Sequence, residues 1–162
     1  MSGTTVAVAH EELARILSLS VLETFSTMFS SEPQVEKAVQ CEDLGPSDGL
    51  TAIVGLGGAV RGSIVFQCGT PTAQRLTQLM TGEAASEDDQ LLKDGIGEMG
   101  NIVAGGVKKH LDAMGTNVSI SIPTVVQGHL HRVSATGNTS WTVLHLRSDG
   151  EDVVAAARVV PA

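Results

Sequence analysis

Aromatic residues and cysteines are scarce in this chain of 162 residues. There are three Phe, one Trp and no Tyr, so the core must consist of Val, Ile, Leu, Met and Ala. Such a core suits helices packed on a sheet, and the scarcity argues against ligands bound by stacking. The two cysteines, Cys41 and Cys68, are too few for a secreted disulfide framework and lack zinc-type spacing. We therefore expect two free thiols in a reducing compartment.

Positive charge and long apolar runs are also scarce. Ten Lys and Arg stand against 18 Asp and Glu, a formal net charge of −8, which repels phosphate backbones and disfavours nucleic-acid binding. The N-terminus lacks the basic start and apolar run of a signal peptide, and no apolar run approaches the roughly 18 residues of a membrane span. We expect a cytoplasmic protein that contacts neither membrane nor nucleic acid.

Apolar periodicity organises the chain as a single domain over residues 1–162, with residues 1–8 frayed. A helical period predicts a long first helix over residues 10–30. Three strand-like segments follow, the last two joined as a hairpin at Gly57 and Gly58. Two helices come next, the second opened by Ser86 as N-cap and ending near residue 113 or 114. Three or four further strands end the chain, the last two joined by a tight turn at residues 148–150.

This order of elements is not the strict alternation of strand and helix found in a parallel sheet. It predicts an α+β fold, with a mostly antiparallel sheet of about six strands and with the long N-terminal helix and two central helices packed on it. The two halves look alike in outline, each a long helix followed by strands, so we expect pseudo-two-fold halves.

The third helix carries the candidate site. On a helical wheel its apolar stripe consists of Leu92, Ile96, Met99, Val103, Val107 and Met114, which we expect to face the core. Asp94, Glu98, Asn101, Gly105 and Asp112 lie opposite this stripe. Glu98 and Asn101 are three residues apart, so they are neighbours on the exposed face.

Glycine is unusually frequent in the same helix. Gly95, Gly97, Gly100, Gly105 and Gly106 each cost roughly 1 kcal/mol relative to Ala in a helix interior. Gly95, Gly100 and Gly106 flank the apolar stripe and predict close packing of strands or of the first helix. Gly105 instead lies on the face of Glu98 and Asn101, where a bare patch would admit another protein's backbone.

The runs LLKDGIGEMGNIVAGGVKKHL and ISIPTVVQG resemble the signature of the CheC/CheX/FliY family of chemotaxis phosphatases. That signature is an acidic residue or Ser, then Glu, Asn and Pro, here Asp94, Glu98, Asn101 and, after 21 intervening residues, Pro123. CheC-type members carry two such motifs and CheX-type members carry one. No Asn precedes Asn101, so this chain resembles a CheX-like member.

The resemblance implies a phosphatase that stimulates hydrolysis of the aspartyl phosphate of a CheY-like response regulator. Glu98 and Asn101 would be the catalytic residues, and we expect Asp94, Gly105 and Lys108 to contact the partner, although Asp94 could instead be only a solvating residue. The chain would need no metal or cofactor of its own, because Mg²⁺ is expected on the regulator. The family includes dimers formed through the sheets, and segments 118–122 and 153–160 offer apolar strand edges, so we expect a homodimer.

Two other hypotheses remain open. The chain could be a noncatalytic adaptor that keeps the fold and docks a receiver or another signalling domain. His129 and His131 could also bind a metal with His145 or His110, although no third ligand is determined by spacing.

Overall fold

A computed structural model describes residues 8–134 and 140–162 of the chain. The fraying expected for residues 1–8 therefore falls outside the described residues, except at Val8. The described elements, in chain order, are α1 (His10–Phe29), β1 (Gln34–Cys41), β2 (Ser47–Gly58), β3 (Val60–Cys68), α2 (Thr70–Thr81), α3 (Gln90–Ala113), β4 (Val118–Ile120), β5 (Thr124–His131), β6 (Trp141–Ser148) and β7 (Glu151–Pro161).

The strands form one antiparallel sheet of seven strands, one more than expected. β3 and β7 pair at the centre, and β2 and β6 flank them. The outermost strand of each half pairs with the other half, because β1 lies on β6 and β5 lies on β2. This arrangement confirms the predicted α+β fold, and the pairing order relates the α1–β3 half to the α3–β7 half by a pseudo-two-fold axis.

Local sequence accounts for where the helices and turns begin and end. The C-cap residues that follow α1 and α2 are Ser30 and Gly82, both in the left-handed conformation with φ of 48° and 76°. α3 begins one turn later than predicted, because Asp89 rather than Ser86 is its N-cap and accepts a hydrogen bond from the Leu91 N–H at 3.1 Å. The tight turn between β6 and β7 is confirmed, with positive φ at Asp149 and Gly150.

All three helices lie on one face of the sheet, and the main core fills the space between them and the strands. The predicted α3 stripe is buried except at Met114, which is 48% exposed. That assignment was wrong because the helix ends at Ala113 and Met114 is its C-cap. Leu111 is buried at this end of the helix instead.

The second face of the sheet carries a smaller cluster formed by Val65, Trp141, Val143 and Ala156. At the rim of this face a bridge joins Asp43 to Ser134. One expected strand edge is wrong: β7, which spans the apolar segment 153–160, lies inside the sheet between β3 and β6. The free edges of the described sheet belong to β1 and to the β4 and β5 side.

Candidate functional site

The exposed face of α3 presents Glu98 and Asn101 side by side. Glu98 is exposed and Asn101 is half-buried, somewhat less open than its wheel position suggests. Within the described part of the chain, neither side chain makes a hydrogen bond or an ion pair. A carboxylate and an amide are therefore both free for another molecule, and the amide can donate and accept.

A shallow groove of about 340 Å³ runs beside Glu98, between the first half of α3 and the start of β5. Gly97 forms part of its wall, because a Cβ there would lie 3.3 Å from Val125 Cγ2 and 3.7 Å from Pro123 Cγ. Asp94 also lines the groove and accepts a hydrogen bond from Gln90 Nε2 at 3.0 Å. The structure thus brings three residues of the motif, Asp94, Glu98 and Pro123, to one groove.

The glycines of α3 divide into two kinds. Added Cβ atoms at Gly95, Gly100 and Gly106 would lie 2.4 Å from Thr77 Oγ1, 2.7 Å from Ala52 Cβ and 2.1 Å from Ser20 Oγ. These three glycines allow close approach of α2, β2 and α1, which confirms the predicted tight packing. Gly105 has no atom within 4 Å of an added Cβ. Packing within the chain therefore does not explain why residue 105 is a glycine. Gly105 leaves bare backbone on the face of α3 that carries Glu98.

Lys108 is held within the protein. Its Nζ contacts Asp112 Oδ2 at 2.5 Å and donates to the Val118 carbonyl at 2.7 Å. Asp112 Oδ1 accepts from the Val118 N–H at 3.0 Å, and the hydrogen bond from Lys108 lowers the pKa of Asp112, with a further contribution from the Val118 N–H. The lysine thus ties the end of α3 to β4, and a partner would have to compete with these contacts. Its role in partner binding stays a prediction.

The pseudo-two-fold axis relates α3 to α1, where Glu23 and Ser26 have the same spacing as Glu98 and Asn101. Both residues are exposed and line an open depression with His110. No Asn precedes Asn101 in the sequence, so the chain carries one Glu and Asn pair with this spacing, in agreement with the single motif.

The other candidate groups do not assemble into a site. His131 contacts Thr51 Oγ1 at 2.6 Å through Nε2 and the Gly128 carbonyl at 3.0 Å through Nδ1, while His129 lies near Asp48. No group of three metal-ligating side chains occurs among residues 8–134 and 140–162. Both cysteines are free, and burial raises the pKa of Cys68 to about 12, which makes it a poor nucleophile at neutral pH.

The sequence did not predict that Pro123 packs against Gly97 and so lies next to Glu98. The glycine was visible as one of five in the helix, but its neighbour lies 26 positions away in the chain. Pro123 was visible only through the motif. The contact depends on the path of the segment between α3 and β5, for which the local sequence has no periodic signal.

The antiparallel sheet with two related halves, and a helix that presents an unpaired carboxylate and amide, define the CheC/CheX/FliY class of proteins. Within that class, the family model described as chemotaxis phosphatase CheX matches residues 50–146. The chain belongs to the CheX family.

Three relatives illustrate the similarity. The CheY-P phosphatase CheX of Thermotoga maritima is 29% identical over 119 residues, which cover 73% of this chain and 77% of that protein. A CheX crystal structure from Desulfovibrio desulfuricans has a TM-score of 0.83 at 21% identity, covering 91% of this chain and 99% of that one. The CheX of a CheX–CheY–BeF₃–Mg²⁺ complex from Borrelia burgdorferi has a TM-score of 0.68 at 24% identity, covering 95% and 99%. The similarity to these two crystal structures shows the fold only.

None of the described helices has the length and apolar character that crossing a membrane requires.

Proposed function

We propose that this chain is a protein phosphatase that stimulates hydrolysis of the aspartyl phosphate of a CheY-like response regulator. The proposal rests on Glu98 and Asn101, whose side chains have no partner among the described residues and lie on one helix of a CheX-family protein. The curated relative from Thermotoga maritima bears the name of this activity, and the relative from Borrelia burgdorferi was crystallised with CheY. An open helix face also suits a protein substrate better than a small molecule, which binds in an enclosing cleft.

Asn101 is the residue that we assign to the chemical step. Phosphoryl transfer needs little covalent help from a protein, because positioning of the water and stabilisation of charge dominate its catalysis. An amide inserted into the regulator's active site can accept a hydrogen bond from the attacking water while it donates another. The amide of Asn101 would thus hold the water in line with the phosphorus and the leaving carboxylate oxygen.

Glu98 is the residue that we assign to docking. Its carboxylate has no positive partner within the described chain, so it can pair with a cation on the regulator without first breaking an internal contact. The pair would set the position of α3 along the regulator, three residues from the amide. Asp94 and the bare backbone at Gly105 extend the same contact surface toward the two ends of α3.

We infer that the metal of the reaction belongs to the partner. The unpartnered Glu98 carboxylate and Asn101 amide, and the Asp94 carboxylate that accepts from Gln90, lie along one helix face rather than around a common centre. Mg²⁺ held by the regulator would neutralise charge on the phosphoryl group, and this chain would supply the amide. A cytoplasmic location is part of the same proposal, because the two free thiols fit a reducing compartment and the substrate is a signalling regulator.

Phosphate release measured under multiple turnover distinguishes the phosphatase from the adaptor. The CheY-like regulators of the organism that carries this chain are loaded with acetyl phosphate and Mg²⁺, and release is followed with and without substoichiometric amounts of the chain. A phosphatase accelerates release by many turnovers per molecule. An adaptor binds the regulator and leaves the rate unchanged, which would contradict the proposal.

A further inference from the structure

An irregularity in the edge of the sheet lies directly beside the groove at Glu98. β4 and β5 both pair with β2, and together they form one interrupted edge strand. Ile120 pairs with Leu56 and Thr124 pairs with Ile53, so three residues, 121–123, face only two residues of β2. The extra residue makes this corner a β-bulge, a feature that re-aims side chains and is frequent next to active sites.

The bulge turns a large apolar side chain into solvent. Ile122 is 86% exposed, the highest value among the exposed large hydrophobic residues of the described chain. The next residue is Pro123, which lines the groove together with Glu98 and Gly97. Ile122 thus lies next in the chain to a residue of the groove wall, and the groove also carries the charged side chains of Lys93, Asp94 and Glu98.

The backbone holds this corner in place. The Ser121 N–H donates to the Gly55 carbonyl at 2.9 Å, and the Gly55 N–H donates to Ser121 Oγ at 2.8 Å. The Ser121 hydroxyl in turn donates to the Ile122 carbonyl at 2.9 Å. Pro123 restricts φ on the other side. The side chain is thus presented from a fixed backbone, which lowers the entropic cost of using it in an interface.

We propose that Ile122 is a docking residue for the response regulator and inserts into an apolar depression next to the regulator's phosphorylation site. This inference rests on the proposed function, because the surface of Ile122 is continuous through Pro123 with the groove at Glu98. One exposed apolar anchor next to a groove with charged side chains is a usual composition of a binding hot spot and its rim. Ile122 supplies affinity and orientation, while Glu98 supplies charge and Asn101 the chemistry.

The test measures binding and turnover separately for Ile122→Ala. The dissociation constant is measured with the regulator loaded with BeF₃⁻ and Mg²⁺, in which beryllofluoride stands in for the phosphoryl group, and kcat and KM are measured with the phosphorylated regulator. Removal of three buried carbon atoms should raise Kd and KM roughly tenfold or more. The value of kcat at saturating regulator should stay within about twofold of wild type.

Two further variants serve as controls for the loss of apolar contact at Ile122. Leu79→Ala removes an exposed apolar side chain, 56% exposed, from α2 and should leave Kd unchanged. Ile122→Val should retain most of the affinity, because most of the apolar contact survives. Ser121 is left intact in all variants, so that the hydrogen bonds of the bulge are preserved.

The outcomes separate this inference from the proposed function. An unchanged Kd for Ile122→Ala, with an active wild-type protein, overturns the role of Ile122 and leaves the phosphatase proposal standing. A change in oligomeric state without a change in regulator affinity assigns Ile122 to contact between copies of the chain and also overturns it. A wild-type protein that releases no phosphate from any regulator defeats the proposed function itself.

Discussion

At the scale of single residues, the site is defined by side chains that the fold leaves unused. Some polar groups of α3 have partners within the chain: Asp94 has Gln90, and Lys108 has Asp112 and the Val118 carbonyl. Glu98 and Asn101 have none among the described residues. Helical spacing predicted their common face from sequence alone. It could not predict that Lys108 would be engaged, because its partners depend on the return of the chain at β4.

Reversal of charge at Glu98 should weaken docking more than chemistry. Glu98→Lys replaces an attraction with a repulsion, so KM should rise several-fold while kcat at saturation changes little. The defect should shrink at high salt, because exposed charges are screened. Steady-state kinetics at two ionic strengths measure both effects.

Glu83→Lys is the matched control, since it makes the same change of charge at an exposed glutamate of the loop before α3. It should leave KM unchanged. An unaltered KM with a lost kcat for Glu98→Lys would instead indicate that Glu98 acts on the water itself.

At the scale of elements, α3 combines a buried helix and an interaction surface in one segment. Its apolar period was sufficient to predict the helix and its buried face. The errors lie at its ends, where Asp89 rather than Ser86 is the N-cap and where Met114 leaves the helix. Both ends depend on one or two residues whose local alternatives differ little in free energy. The glycines were more informative, because four of the five have a neighbour that an added Cβ would contact.

Gly105 and Gly106 are adjacent in α3, and they provide a matched pair of variants because only Gly106 is packed against another element. Gly106→Ala forces Ser20 to move and breaks its hydrogen bond to the Val103 carbonyl, so it should lower the free energy of unfolding by about 1–3 kcal/mol. Gly105→Ala enters open space and should raise the free energy of unfolding by about 0.5–1 kcal/mol through helix propensity. Urea denaturation measures both.

The KM for the regulator is the second measurement for Gly105→Ala. Gly105→Ala should raise KM despite the gain in stability, because its methyl group occupies the bare patch. An unchanged KM would remove Gly105 from the contact surface.

At the scale of the whole molecule, the class of fold followed from the order of elements, whereas the order of strands in the sheet did not. Residues 153–160 were expected at an edge because they are apolar and carry few charges. They are apolar because β7 lies between β3 and β6, and because apolar clusters cover it on both faces of the sheet. Strand sequence reports burial and not the identity of the neighbour. For the same reason, the exchange of β1 and β5 between the two halves could not be predicted.

We expect a homodimer whose two Glu98 and Asn101 sites face outward. Of the two free edges, that of β5 is the less guarded, since Thr124–His131 contains no Asp, Glu, Lys or Arg, whereas β1 contains Glu36 and Lys37. Light scattering should give about twice the chain mass of 16.8 kDa. Val126→Lys places a charge on β5 and should shift the mass toward the monomer without loss of activity per chain.

A wild-type mass near 17 kDa that does not change over a tenfold range of concentration would contradict the dimer. A dimer whose interface covers Asn101 would contradict it equally.

The catalytic role of Asn101 is tested by phosphate release from the phosphorylated regulator with wild-type chain, Asn101→Ala and the control Asn117→Ala, which removes an exposed amide outside the site. Asn101→Ala should lose roughly 100-fold of the stimulation at saturating regulator, because the water is no longer aligned. Its Tm and its Kd for the beryllofluoride-loaded regulator should stay close to wild type, and Asn117→Ala should be fully active. An Asn101→Ala variant that keeps most of the stimulation, or one that loses activity only because its Tm collapses, would show that Asn101 does not align the water.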